Sequence, residues 1–379
     1  MSQFPNKLLD KIELRNKNSS LRSLSSTTGL VDFASNDYLG FANNKDIFER
    51  SKELLTDSAL ERNGATASRL LSGNHSLYDM AEKVIAMHHG VETATLFNSG
   101  FDANIGLLGS VPQRGDVILY DALVHASIRE GIRLSNANAY KFDHNNLDDL
   151  EQKLKKYQSD GECYVVTESV FSMDGDGPDV VSLVELCESY GVHLIVDEAH
   201  AIGISKKGLL AEAGLQKKVF AIVITFGKGL GSHGAAVLAQ GLLKTYLVNF
   251  AKSLVYSTAL PPHSIATVIA AYEQLFSEHG TNSVNNLHSN IAILRSYIIK
   301  YDIKKHFIDS NSAIHSIVVP GNQAVRKLSK QLSDVGLDVR PILSPTVKEG
   351  SERLRICLHA FNSAKEIETL IKHLSQYYA

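Results

Sequence analysis

The chain has 379 residues, 44% hydrophobic and 21% charged, with a formal net charge of −3 at pH 7. That length predicts two or more packed units, and the balance of charge excludes a general attraction to nucleic acid or an anionic membrane. Its three cysteines, Cys163, Cys187 and Cys357, are too far apart to spell a metal-site spacing or a disulfide framework.

An amphipathic helix reaching to about residue 22 carries Leu8, Leu9, Ile12 and Leu14, and a Ser/Thr-rich loop follows. Residues 30–34 read as a short strand ending in the polar, turn-like SNDYLG at 35–40. Apolar periodicity predicts helices over 46–60 and 76–88, separated by a small-residue stretch at 64–74. Strands are then predicted at 94–97, 117–120, 139–142, 164–167, 193–196, 219–225 and 235–239. Helical faces lie between several of them: Leu147, Leu150, Leu154 and Tyr157 fit one, and Val180, Leu183, Val184 and Cys187 another. Apolar strands alternating with amphipathic helices predict an α/β fold with a mostly parallel sheet covered on both faces. Such sheets take ligands in the loops at the carboxyl ends of their strands.

Pro261-Pro262 ends this block, and a long helical region runs to about Tyr301. The remainder reads as a smaller α+β unit. One helix carries Val325, Leu328, Leu332 and Val335 and stops at Gly336; a strand covers 353–358; a last helix carries Ile367, Leu370, Ile371 and Leu374. The predicted division is an N-terminal segment 1–45, a large domain 46–265 and a small C-terminal domain 266–379. No apolar run approaches a membrane span, and the opening MSQFPNK has no apolar signal core, so the expectation is a soluble, cytoplasmic protein.

Two motifs point elsewhere and fail. Asp197-Glu198-Ala199-His200 spells a helicase box, but a phosphate loop needs Gly-x-x-x-x-Gly-Lys-Ser/Thr. Around Gly227-Lys228, Ile222 replaces the first glycine and Gly229 the hydroxyl residue. Gly229-x-Gly231-x-x-Gly234 matches a dinucleotide fingerprint, yet a strand-like segment follows it and no acidic residue appears before Glu273.

Lys228 is the more telling residue of that stretch. It follows the apolar run 220–224 inside a glycine-rich turn. An isolated lysine there usually reaches into solvent, but this one has company. Asp197 closes the strand at 193–196, His200 sits in the loop beyond it, and Thr225 ends the strand before Lys228. His125 follows the strand at 117–120, and Ser99-Gly100-Phe101 follows the one at 94–97. An acid, two histidines, hydroxyls and an amine at the corresponding strand ends suit pyridoxal 5'-phosphate. A lysine forms a Schiff base with it, and a carboxylate keeps its pyridine nitrogen protonated. An aromatic or imidazole group stacks on the ring, and hydroxyls and backbone amides at a helix N-terminus hold its phosphate. In this set of glycines, space is cleared for a ring and its phosphate. A lysine acting as a base at neutral pH needs a lowered pKa, which burial beside the ring would supply.

The motifs resemble the α-oxoamine synthase family of fold-type-I pyridoxal-phosphate enzymes over nearly the whole chain. They are SNDYLG (35–40), SRLLSG (68–73), NSGF (98–101), residues 121–127, TESVFSMDGD (167–176), VDEAHAIG (196–203), TFGKGLG (225–231) and YSTALPP (256–262). The resemblance implies a large domain with a seven-stranded sheet and a smaller C-terminal domain. Lys228, His125, Asp197 and His200 would be the catalytic residues. Cofactor contacts would come from Ser99, Gly100, Phe101, Ser172, Thr225, Ser257 and Thr258 as well, with Ser172 and His200 near the ring's phenolic oxygen. Arg355 would clamp the amino-acid carboxylate in bidentate fashion, Asn36 would assist, and Arg22 and Thr346 would meet the acyl substrate. Residues 256–258 would reach across the interface of a homodimer with shared sites.

The implied partners are an amino acid and an acyl thioester, on coenzyme A or acyl carrier protein. YSTALPP and TFGKG look most like the members that condense L-alanine with a pimeloyl thioester for biotin synthesis. The glycine acetyl-, serine palmitoyl- and 5-aminolevulinate-type members stand as alternatives, with a non-catalytic protein of the same fold behind them. Tyr78, Val124 and Leu343 depart from residues common in the family (histidine, serine and, in some members, arginine), and the segment between Arg22 and Phe33 is short. The short segment lies near the expected acyl site, and these departures spare the cofactor chemistry while bearing on which acyl substrate is taken.

Overall fold

A computed structural model describes residues 4–22, 24, 29–157 and 160–378. Most of the Ser/Thr-rich stretch after Arg22 lies outside the described residues. The chain forms two compact units. The larger comprises Asn36–Ser172 and Asp176–Leu287; the smaller comprises Met1–Ser35, Met173–Gly175 and His288–Ala379.

In the larger unit the central sheet has seven strands: β1 (Thr93–Phe97), β2 (Val117–Asp121), β3 (Asn138–Phe142), β4 (Cys163–Glu168), β5 (His193–Asp197), β6 (Ala221–Thr225) and β7 (Ala235–Ala239). Their spatial order is β1-β7-β6-β5-β4-β2-β3. Strands β2 to β6 run parallel, while β7 is antiparallel to both β6 and β1. Every residue of β6 is buried, as a strand covered on both faces requires. Helices α1 (Gly100–Leu108) and α2 (Ala126–Leu134) pack against each other, and Ala103, Leu107, Ile128 and Ile132 join Ile118, Val166, Ile195 and Val223 of the strands in one apolar cluster.

The junction after Leu287 falls inside helix Glu278–Lys300, not after residue 265. Pro262 opens the helix Pro262–Leu275, a position where its missing N–H costs nothing. That helix packs on Lys45–Asp57 and Ser76–His89, all within the larger unit.

The smaller unit holds an antiparallel sheet ordered Arg340–Ile342, Arg353–Cys357, Ile314–Val318. Residues 31–35 are part of this unit, not of a separate leading segment. Val31–Asp32 pairs in parallel with Leu337–Asp338, and the Cys357 N–H donates to the Phe33 carbonyl at 2.8 Å. Helix Asn6–Lys17 buries none of its residues, so the apolar face read from Leu8, Leu9, Ile12 and Leu14 is exposed. Among the described residues, no helix is long and apolar enough to cross a membrane.

Candidate active site

Parallel strands end at one edge of their sheet, and four of them end here on a polar residue: Asp121, Glu168, Asp197 and Thr225. At that edge of the larger unit is a cavity of about 300 Å³. It is lined by Asn36, Ser99, Gly100, Phe101, His125, Asp197, His200, Thr225 and Lys228, all expected from the sequence. Asn104, Ser127, Glu168 and His233 line it too and were not expected. A larger cavity of about 590 Å³ lies at the amino ends of β5 and β6, among Val192, Val219 and Phe220, and contains none of these groups. Size does not decide between them; the chemistry of the lining does.

One hydrogen-bonded chain fixes the carboxylate and the imidazole together. Asn104, on α1, donates from Nδ2 to Asp197 Oδ2 at 2.7 Å and to Ser127 Oγ at 2.9 Å. Ser127 Oγ in turn lies 2.8 Å from His125 Nδ1. The other Asp197 oxygen accepts from the Ala199 N–H at 2.8 Å. His125 also caps α2, its Nδ1 accepting from the Ser127 N–H at 3.2 Å. Burial lowers the His125 pKa, against the opposing pull of Asp197. His200, unlike the more exposed His125, is buried, and it shares a 2.6 Å hydrogen bond between its Nδ1 and the Tyr38 hydroxyl. Lys228 is half-buried, less enclosed than the sequence suggested.

The first turn of α1 faces the same cavity. Ser99 caps it: its Oγ accepts from the Asp102 N–H at 3.0 Å and donates to Asp102 Oδ2 at 2.7 Å. Its side chain therefore serves the helix, and the amides of the first turn remain the natural anion donors. Gly100 packs so closely on β6 that a Cβ there would meet Thr225 Cγ2 at 2.5 Å. A helix N-terminus, a hydroxyl, an amine and a buried carboxylate around one cavity fit pyridoxal 5'-phosphate. Those groups could hold the cofactor, with its phosphate at the first turn of α1 and Thr225, its pyridine nitrogen at Asp197 and its aldehyde carbon at Lys228.

The glycines of the turn divide between two tasks. Gly227 and Gly234 line the cavity. A Cβ on Gly229 would lie 2.2 Å from the Ile202 carbonyl oxygen, and one on Gly231, at φ +57°, would lie 2.1 Å from the Ala42 nitrogen. Those two admit neighbouring backbone and do not clear space for a ring.

Ser172, Ser257 and Thr258 are not among the lining residues. Thr258 is exposed at the end of a loop anchored by Asn98, whose Nδ2 donates to the Thr258 carbonyl at 2.8 Å. Arg22, Thr346 and Arg355 belong to the smaller unit. There, Arg22 Nη2 donates to Thr346 Oγ1 at 2.9 Å, so two residues read separately from the sequence meet. Arg355 is buried on the central strand of the small sheet, with Nη1 2.8 Å from Cys357 Sγ.

Comparison with known proteins gives this arrangement its class. The Aminotransferase class I and II family profile matches residues 28–374, and the chain belongs to that family of pyridoxal-phosphate-dependent enzymes. The particular relatives are narrower. The 8-amino-7-oxononanoate synthase of Emericella nidulans is 37% identical over 371 residues, covering 92% of this chain and 89% of that protein. The solved structure of 8-amino-7-oxononanoate synthase from Francisella tularensis is 25% identical with a TM-score of 0.77, covering 92% of this chain and 98% of that one. Serine palmitoyltransferase from Sphingomonas wittichii superposes with a TM-score of 0.88 at 25% identity, covering 99% of this chain and 97% of that one. The chain is an α-oxoamine synthase, similar in sequence to the 8-amino-7-oxononanoate synthases.

Proposed function

We propose that the chain catalyses the decarboxylative condensation of L-alanine with a pimeloyl thioester, giving 8-amino-7-oxononanoate for biotin synthesis. The observation that supports this most is the assembly of Lys228, Asp197, His125, Thr225 and the first turn of α1 around one cavity, in a chain 37% identical to a synthase of that name. When bound, pyridoxal phosphate supplies an electron sink for the pair left behind as the amino acid loses its α-proton. With the cofactor bound, Asp197 would hold the proton of the ring nitrogen and His125 would face the ring. Lys228 Nζ would hold the cofactor, remove the Cα proton and later return one. His200, oriented by Tyr38, and Ser172 serve the phenolic oxygen. Arg355, helped by Asn36, binds the substrate carboxylate, and the Arg22–Thr346 pair meets the acyl substrate. The amino-acid α-carbon adds to the thioester carbonyl, the thiol departs, and the carboxyl group leaves as carbon dioxide.

The working unit on this reading is a cytoplasmic homodimer, in which Ser257 and Thr258 complete the partner's site. Both lie outside the cavity of their own subunit, Thr258 exposed and Ser257 half-buried, which supports that placement. A second reading, serine with a long acyl chain, is favoured by one observation, the higher TM-score to serine palmitoyltransferase. Thiol release from a panel of amino acids and acyl thioesters separates the two. Alanine with pimeloyl-CoA, or with pimeloyl-acyl carrier protein, is expected to be the productive pair. Silence from both alanine pairs alongside turnover of serine with palmitoyl-CoA would sink the first reading.

A further inference from the structure

Glu168 lines the cofactor cavity and has no role in the chemistry above. It ends β4 directly opposite Asp197, the last residue of β5, with the two Cα atoms paired in parallel register. Paired positions on neighbouring parallel strands are about 4.8 Å apart and project to the same face of the sheet. Both side chains are almost fully enclosed, Glu168 3% and Asp197 5% exposed. Two ionised carboxylates this close in a dry site repel strongly, and such pairs resolve by sharing one negative charge. The donors show which partner keeps it. Asp197 receives Asn104 Nδ2 at 2.7 Å and the Ala199 N–H at 2.8 Å, whereas Glu168 Oε1 receives the His125 N–H at 2.6 Å.

We propose that Glu168 is a positioning residue held in the cavity as the neutral acid, so that the single charge of the pair stays on Asp197 while Glu168 pins the His125 backbone. Its surroundings agree. The titratable groups facing it are Asp197 on β5, Asp121 on β2, His125 at the start of α2 and Lys228 after β6. Burial first, then the Asp197 charge, pushes its pKa up to about 8, with the His125 N–H and Lys228 opposing. What the single charge does at the pyridine nitrogen rests on the functional reading above; the protonation state itself does not.

The test is the pH dependence of melting temperature for full-length wild type and Glu168→Gln, with cofactor loaded and again after its removal. An acid that keeps its proton when folded and loses it when unfolded makes wild type lose stability as pH rises from its unfolded value towards 8. Glutamine has no such slope, and titrating groups remote from the cavity cancel in the difference. The variant is therefore expected to gain on wild type by about 3–6 °C between about pH 5 and pH 8. A difference that stays flat, or moves the other way, overturns the proposal, and does so whatever substrates the enzyme takes. Should Glu168→Gln fail to fold, carboxyl-carbon NMR of glutamate-labelled Glu198→Gln protein, which lacks the other buried glutamate with a raised pKa, reads the same state. A glutamate still neutral at about pH 6.5 supports the proposal, and complete ionisation by then overturns it.

Discussion

Asn104 Nδ2 lies 2.7 Å from Asp197 Oδ2, and its second hydrogen is directed to Ser127 Oγ at 2.9 Å. One amide therefore orients both the carboxylate and, through Ser127, the His125 ring. Asn104→Leu keeps the side-chain volume but strips both bonds, leaving Asp197 short of a charge-assisted donor. The expected loss is about 2–3 kcal/mol of stability, with cofactor affinity falling at least tenfold. Thermal melts and equilibrium dialysis of the cofactor check both figures.

Gly100→Ala tests the phosphate cradle. Its Cβ would press to 2.5 Å on Thr225 Cγ2, and Thr225 must rotate or α1 must shift. Either movement spoils the anion site while the core remains packed. Affinity for free inorganic phosphate and for the cofactor should drop together, by about tenfold (~1.4 kcal/mol). A variant binding both as wild type does would show that the phosphate sits elsewhere.

Away from the cavity, Glu82 is a buried carboxylate held by Arg69 Nη1 at 2.6 Å, Lys244 Nζ at 2.7 Å and the Leu96 N–H at 3.0 Å. Burial acts to raise its pKa, but Arg69 and Lys244 outweigh it and hold the carboxyl below its ordinary value. A lowered folded pKa gives stability above the unfolded value that is lost as pH falls through the folded one. Glu82→Gln should cost about 3–5 kcal/mol at neutral pH, and the gap to wild type should narrow below about pH 4. Denaturant titrations at the two pH values measure it.

His144 bridges Asp121 Oδ1 and Asp176 Oδ2, both at 2.9 Å. Burial lowers its pKa, yet the two carboxylates more than reverse that and raise it to about 9. A raised folded pKa contributes stability fully present below about pH 6.5 and lost as pH climbs through 9. With the ring partly solvated, the contribution is about 1–2 kcal/mol. His144→Asn should flatten the fall in melting temperature across that window; an unaltered slope would remove His144 from the account.

All seven central strands were legible to within two residues: six are largely buried and written as apolar runs, whereas the edge strand Asn138–Phe142 is mostly exposed. Ile314–Val318 was not, since His315 and Ser316 interrupt its pattern although both are buried. Ser316 gains its partner from a distant turn, donating to the Met173 carbonyl at 2.6 Å, which no local signal encodes. The same limit applies in the site. Lys228, Asp197 and His200 stand out by their motifs, whereas Asn104 and Ser127 are ordinary polar residues of two helices and gain meaning only from the bonds between them. Glu168 falls one position past the predicted strand, and its significance needs the register that pairs it with Asp197.

The most direct test of the central claim is reductive trapping. The purified protein, loaded with pyridoxal phosphate, is treated with borohydride, digested and mapped by mass spectrometry. The account predicts a single phosphopyridoxyl group on Lys228, absent from Lys228→Ala, which also loses the visible absorption of the lysine-bound cofactor. A label on another lysine, or a spectrum unchanged in Lys228→Ala, would contradict it.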